Sequence, residues 1–145
     1  MAAKTTSDPT QRPAPHPTDL TAAFWAATTE GRFLIQRCTR CNAAIFYPRV
    51  NCTECGSTEL VNEDASGRGT VYTFTVTNQN MAKGFAEACP YVMAYVTLEE
   101  GPRVLTNIVG CDPDTVIIGM KVTADFATQE RDDGEAFAVP RFTPV

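Results

Sequence analysis

Two Cys-x-x-Cys pairs lie close together in the chain, and they constrain its fold more than any other feature. Cys38 and Cys41 form the first pair, and Cys52 and Cys55 follow after ten intervening residues. Each pair can fold into a tight knuckle that directs two thiolates at one point, and two knuckles complete a tetrahedral four-sulfur site. Zinc suits this ligand set best, and iron or a pair of disulfides are the alternatives. The spacing therefore predicts one bound Zn²⁺.

The predicted metal has a structural role. Four thiolates fill the coordination sphere, whereas a catalytic zinc keeps one position open for water or substrate. An electron-transfer iron site would use the same four ligands and stays an alternative at this point. We interpret residues 32–61 as a rubredoxin-like zinc ribbon that the metal holds together.

Chain length and apolar content limit the class of protein. With 145 residues, the chain forms one ordinary domain or two very small ones. It contains no long apolar run and no apolar stretch typical of a signal peptide. Thiols in metal-ligand spacing fit a reducing compartment, so we expect a cytoplasmic protein.

The charge distribution disfavours nucleic acid as the main partner. The net charge is −5, but residues 32–60 carry four arginines against two glutamates. Residues 61–145 carry six basic and twelve acidic side chains. Such an acidic segment repels a phosphate backbone. Single-stranded nucleic-acid binding stays an alternative, because zinc ribbons and OB barrels both serve it.

The N-terminal segments carry no predicted catalytic group. Residues 1–17 contain four prolines and almost nothing apolar, which predicts a disordered or loosely draped arm. The chain's one histidine, His16, lies there, and residues 18–31 form a predicted N-terminal helix. Cys89 and Cys111 lack metal-ligand spacing, and a nucleophilic cysteine needs a nearby base. We therefore predict no catalytic residue.

From residue 62 onward the pattern indicates strands. In the segment 67–78, Tyr72, Phe74 and Val76 alternate with threonines, which predicts that these three share one face. The segment 91–99 is apolar on both faces, so its second face needs a cover from the ribbon, the helix or another protein. Five such strands in residues 62–145 predict a mainly β fold with a five-stranded OB-fold barrel, and a small sandwich is the alternative.

Several apolar side chains are candidates for contact with a partner. Trp25 is offset from the apolar stripe of the predicted helix, and Phe46 lies between the knuckles. The long loop before residue 91 carries Phe85, and long loops are often functional. The predicted interface residues are Trp25, Phe46, Phe85, Tyr91, Met93 and Tyr95.

The order of these elements resembles a known family. FWAATTEGRFLIQRC, the FYPR between the knuckles and GRGTVYTFTV at the start of the barrel together resemble the DUF35 family of acyl-CoA-associated zinc-ribbon/OB-fold proteins. The resemblance covers residues 18–145 and matches the four cysteines to the ribbon ligands. It implies a small companion of a thiolase-like or hydratase-type acyl-CoA enzyme, with the nucleophile on the partner. Arg40, Arg49 and Lys83 are then candidates to bind coenzyme A phosphates.

The leading hypothesis is a non-catalytic accessory subunit of a thiolase-like enzyme that catalyses thiolysis, condensation or retro-aldol cleavage. It would form a hetero-oligomer and share the acyl-CoA with its partner. Three alternatives stay open: a single-stranded nucleic-acid-binding protein, an accessory domain of an acyl-CoA hydratase, and a self-contained enzyme that binds acyl-CoA in its barrel.

Overall fold

The computed structural model describes residues 12–145. Residues 1–11, the first part of the predicted arm, lie outside the described residues. Within the described part, the chain has one α-helix and eight β-strands. That helix is too short to cross a membrane.

Helix α1 spans Ala22–Thr29, inside the predicted range of 18–31. A turn leads into it, in which the N–H of Thr21 donates to the Thr18 carbonyl at 3.0 Å. Gly31 follows the helix with a φ of +72°, a left-handed conformation that glycine adopts without a steric penalty. Phe24 faces inward and is buried.

The ribbon is a three-stranded antiparallel sheet. Its middle strand β1 (Leu34–Cys38) leads into the first knuckle. It pairs with β2 (Ala44–Ile45) on one side and with β3 (Leu60–Asp64) on the other. The domain boundary predicted between residues 61 and 62 stays a prediction, and β3 runs across it.

Five further strands close into a barrel. They are β4 (Arg68–Thr77), β5 (Tyr91–Leu98), β6 (Arg103–Ile108), β7 (Lys121–Glu130) and β8 (Ala136–Pro144). The strand order is β4-β5-β6-β8-β7, closing on β4; β6 and β8 pair in parallel, and the other neighbours pair antiparallel. The closed five-stranded barrel confirms the predicted OB-type fold and shows that the sandwich alternative is wrong.

A β-bulge in β4 corrects the predicted direction of Tyr72. The register of β4 against β5 shifts between Val71 and Thr73. Val71 is buried, whereas 51% of Tyr72 is exposed on the outside of the barrel. Phe74 and Val76 share one face, as predicted, and pack against the core. The extra residue of the bulge therefore places Tyr72 on the opposite face from these two side chains.

Helix, ribbon and barrel share one apolar cluster. Phe24 of α1, Phe33 next to β1 and Phe142 of β8 are buried in it together with side chains of the other barrel strands. The ring centroids of Phe33 lie 5.7 Å from Phe24 and 6.1 Å from Phe142. Because apolar burial is the main stabilising force in folding, this cluster holds the ribbon and the barrel in one unit.

Residues 12–17 connect two loops of the barrel, and we call them the N-terminal strap. At one end, Arg12 Nε donates to the Gly84 carbonyl in the loop after β4, at 2.8 Å. At the other end, Arg131 of the β7–β8 turn donates to the Pro15 carbonyl.

Candidate functional site

The four predicted metal ligands converge within the ribbon. The Sγ atoms of Cys38, Cys41, Cys52 and Cys55 all lie within 4.8 Å of one another. Cys38 Sγ is 3.7 Å from Cys55 Sγ, and Cys41 Sγ is 3.6 Å from Cys52 Sγ. Four thiolates placed tetrahedrally at about 2.3 Å from zinc lie about 3.8 Å apart. A disulfide joins its sulfurs at about 2.05 Å, so the geometry fits one zinc and rules out the disulfide alternative.

The backbone closes both knuckles in the same way. Asn42 follows the first pair and Gly56 follows the second, and both have a positive φ, of 64° and 75°. The N–H of Asn42 donates to the Cys38 carbonyl, and the N–H of Gly56 to the Cys52 carbonyl. Asparagine and glycine tolerate this left-handed conformation better than other residues, which explains their presence one position after each pair.

Backbone N–H groups prepare the site for thiolates. The N–H of Cys41 lowers the pKa of the Cys38 thiol to about 7, and the N–H of Cys55 lowers the pKa of Cys52. The N–H of Ala43 also lowers the pKa of Cys41, but burial and the neighbouring thiols outweigh it and raise that pKa to about 12. Four close thiolates repel one another, so all of them ionise only around a cation. With four sulfur ligands the coordination sphere is full, and the zinc is structural.

Of the three residues predicted to bind coenzyme A, two lie on the ribbon and one lies on a loop of the barrel. Arg40 is in the first knuckle, Arg49 in the segment between the knuckles and Lys83 in the loop after β4, and all three are exposed. Within residues 12–145, the ion pairs involve other basic side chains. The buried Gln36 amide fixes the backbone of Arg49 through two hydrogen bonds of 2.7 and 3.0 Å. Coenzyme A binding by these residues stays a prediction.

An apolar surface covers the outside of β5 and β6. Tyr91, Met93 and Tyr95 alternate outward along β5, and Leu105 of β6 lies opposite Tyr95. Tyr95 is 45% exposed and Leu105 is 55% exposed. With Tyr72, which the bulge turns outward, these side chains form what we call the outer face. The loop after β4 partly covers the Tyr91 end of β5 through Asn80 and Phe85, whereas within residues 12–145 Met93 and Tyr95 stay exposed.

Two members of the outer face were absent from the sequence prediction. Tyr72 was assigned to the opposite face, because a bulge does not show in an alternating pattern. Leu105 lies between Val104 and Thr106, which are buried, so the alternation along β6 turns it outward. Arg103 stacks on Tyr72 with its guanidinium carbon 3.8 Å from the ring centroid.

Trp25 and Phe46 lie apart from the outer face, in an aromatic cluster between α1 and the ribbon. Both are half-buried. Trp25 Nε1 donates to the Tyr47 hydroxyl at 3.1 Å, and the ring centroid of Phe46 is 5.3 Å from that of Phe33. Phe85 is half-buried in the loop after β4, 6.4 Å from Tyr91 between ring centroids. Contact of these three residues with a partner stays a prediction.

Fold and site together define a structural zinc ribbon joined to an OB barrel, and known proteins share this combination. A family model described as the rubredoxin-like zinc ribbon domain of ChsH2 matches residues 25–61, and one described as its C-terminal OB-fold domain matches residues 62–127. A DUF35 domain-containing scaffold protein of Methanocaldococcus jannaschii is 38% identical over 112 residues, which cover 75% of this chain and 79% of that protein. The chain belongs to the DUF35 family.

A longer protein and a chain of a solved aldolase structure are also similar to this chain. A probable enoyl-CoA hydratase alpha subunit of Thermomonospora curvata is 36% identical over 124 residues, which cover 85% of this chain but only 37% of that protein. A solved structure described as the Ltp2-ChsH2(DUF35) aldolase contains a chain that is 35% identical, with a TM-score of 0.76; the match covers 90% of this chain and 98% of that one.

Proposed function

We propose that this protein is a non-catalytic accessory subunit of a thiolase-like acyl-CoA enzyme. It docks on the enzyme through the outer face and helps to shape the acyl-CoA site. The observation that carries the proposal is the exposed set of Tyr72, Met93, Tyr95 and Leu105 on neighbouring strands of the barrel, where Arg103 stacks on Tyr72. Aromatic residues and methionine are enriched, and charged residues depleted, at the centres of protein interfaces.

The similar proteins support a role in an assembly. The 35% identical chain belongs to a structure described as an Ltp2-ChsH2(DUF35) aldolase, and the M. jannaschii relative is described as a scaffold protein. A second candidate function is that of an accessory domain in an acyl-CoA hydratase, which the similarity to a hydratase alpha subunit favours. The identity of the protein that co-purifies with this chain distinguishes the two.

Shared binding of coenzyme A is part of the proposal. Arg40 and Arg49 lie on the ribbon and Lys83 on a barrel loop, each exposed and able to reach a phosphate that the partner holds. Changing each to glutamine should raise the KM of the complex for acyl-CoA and leave kcat nearly unchanged, because such a contact binds the substrate and the transition state equally. An unchanged KM in all three variants would remove coenzyme A binding from the proposal.

Affinity purification from the native host tests the proposed function. The tagged chain should bring down a thiolase-like protein in stoichiometric amount, and elemental analysis should find about one zinc per chain. Tyr95→Asp should abolish this recovery, whereas Val61→Asp on the ribbon strand β3 should not. Recovery of the chain alone, or of nucleic acid released by salt, would contradict the proposal.

A further inference from the structure

A small groove lies beside the outer face, under the loop that follows β4. Its volume is about 190 Å³. Phe85 of the loop forms one wall, and β5 and β6 form the floor. The lining residues are Phe85, Tyr91, Met93, Leu105, Thr106 and Asn107.

Two polar side chains at this groove are hydrogen-bonded within the chain. Asn80 Nδ2 donates to the Tyr91 hydroxyl at 2.9 Å, and Asn107 Nδ2 donates to the Val92 carbonyl at 3.0 Å. None of the lining residues carries a charge. The groove therefore offers ring faces, a thioether and an aliphatic side chain, which favour an uncharged apolar guest.

The size of the groove limits the guest to one side chain. Pockets for small ligands and cofactors usually measure about 300–1,000 Å³, which is more than this groove provides. Protein interfaces commonly insert a single large apolar side chain into such a pocket at their centre. The groove is also continuous with the outer face, since Tyr91, Met93 and Leu105 belong to both.

We propose that the groove receives one leucine-sized or phenylalanine-sized side chain of the partner subunit, and that the N-terminal strap holds its wall in position. This inference rests on the proposed function, because the guest belongs to the protein that docks on the outer face. It identifies the part of the outer face that contributes most of the binding energy. It also names a residue that positions the wall of the groove.

Arg12 is the positioning residue. Its Nε donates to the Gly84 carbonyl, and its guanidinium carbon lies 4.7 Å from the ring centroid of Phe85. Both contacts fix the loop on the groove side. The bond from Arg131 to the Pro15 carbonyl holds the other end of the strap. A cation over an aromatic face is attractive at this distance, so loss of Arg12 frees the Phe85 wall without removing a lining residue.

The test uses the full-length chain, with methionine methyl groups labelled with ¹³C, and the protein that co-purifies with it. The Met93 methyl signal, assigned from Met93→Leu, should shift when that protein is added. Leu105→Trp fills the groove and should weaken the complex at least about tenfold, whereas Val61→Trp, a matched control on β3, should not. Arg12→Gln should weaken the complex about fivefold and also shift the Met93 signal of the free chain.

The outcomes distinguish this inference from the proposed function, except that failure to recover any protein overturns both. If the recovered protein is thiolase-like but Met93 does not shift and Leu105→Trp binds as the wild type does, the groove and docking through the outer face are overturned, and the accessory role stands. If the recovered protein is not thiolase-like but all three effects appear, the groove stands and the proposed function falls. If Met93 shifts but Arg12→Gln binds normally, the positioning role is overturned. If the groove binds acyl-CoA in the free chain, or no protein is recovered, the inference is overturned.

Discussion

Replacing Cys52 with serine should unfold the ribbon, because the metal is its largest stabilising contribution. Structural zinc supplies about 10–16 kcal/mol in small zinc-binding peptides. Behind the metal site lies a second, smaller apolar cluster, in which Ile45 and Leu60 are the only large aliphatic side chains. Full burial of Ile45 contributes about 1.5–3 kcal/mol and the partial burial of Leu60 contributes less, which cannot replace the metal. Since the whole protein is expected to be stable by about 5–15 kcal/mol, no compensation is available elsewhere.

The loss should extend into the barrel. Phe33 and Ile35 enter the shared core from β1, so an unfolded ribbon exposes the apolar surface of Phe142 and its neighbours. Elemental analysis should find less than about 0.2 zinc per chain in Cys52→Ser, with rapid proteolysis between residues 32 and 61 and a lower thermal midpoint. The control variant Cys111→Ser should keep its zinc, because Cys111 is not one of the four metal ligands. One tightly bound zinc and an unchanged midpoint in Cys52→Ser would refute the reasoning.

Three further predictions concern the interface, the core and acid stability. Tyr95 exposes 45% of its surface, and a tyrosine totals about 150–250 Å², so Tyr95→Ala should cost about 2 kcal/mol of binding, or about 30-fold in Kd by calorimetry. An equal loss for Val61→Ala would count against the outer face. Phe24→Ala should lower the free energy of unfolding by about 3–5 kcal/mol in urea, since the ring is buried at the junction of helix, ribbon and barrel; a change below about 1 kcal/mol would contradict that packing. The hydrogen bond from Arg37 lowers the pKa of Glu63 below its usual 4.5, so the stability from this pair is present above about pH 4.5 and is lost as the pH falls below it. Urea midpoints of wild type and Glu63→Gln should therefore converge in acid, and a constant difference down to about pH 3 would contradict the assignment.

The metal site could be predicted from the sequence because its ligands are close in the chain. Two knuckles separated by ten residues leave few ways to place four thiols, and the observed cluster follows from local geometry. The strands of the barrel were predictable for a similar reason, since the period-two pattern depends on neighbouring residues. The apolar residues on both faces of β5 also predicted that its second face needs a cover from the ribbon, the helix or another protein.

The features that the sequence did not predict depend on contacts between distant parts of the chain. Tyr72 points outward because β4 shifts its register against β5, and the pattern of β4 alone does not show this. Arg12 reaches Phe85 across more than 70 positions, which no local pattern indicates. The helix is predicted to begin at residue 18, but α1 begins only at Ala22, so Leu20 lies in the preceding turn and is exposed.

Oxidative footprinting of the purified complex tests the docking proposal most directly. Hydroxyl radicals modify exposed Met93, Tyr72 and Tyr95 in the free chain, and mass spectrometry reads the extent at each residue. A stoichiometric thiolase-like partner should protect all three side chains strongly, while the exposed Val61 on the ribbon should keep its reactivity. Unchanged oxidation of the outer face in a complex that demonstrably forms would contradict the account and place the docking surface elsewhere.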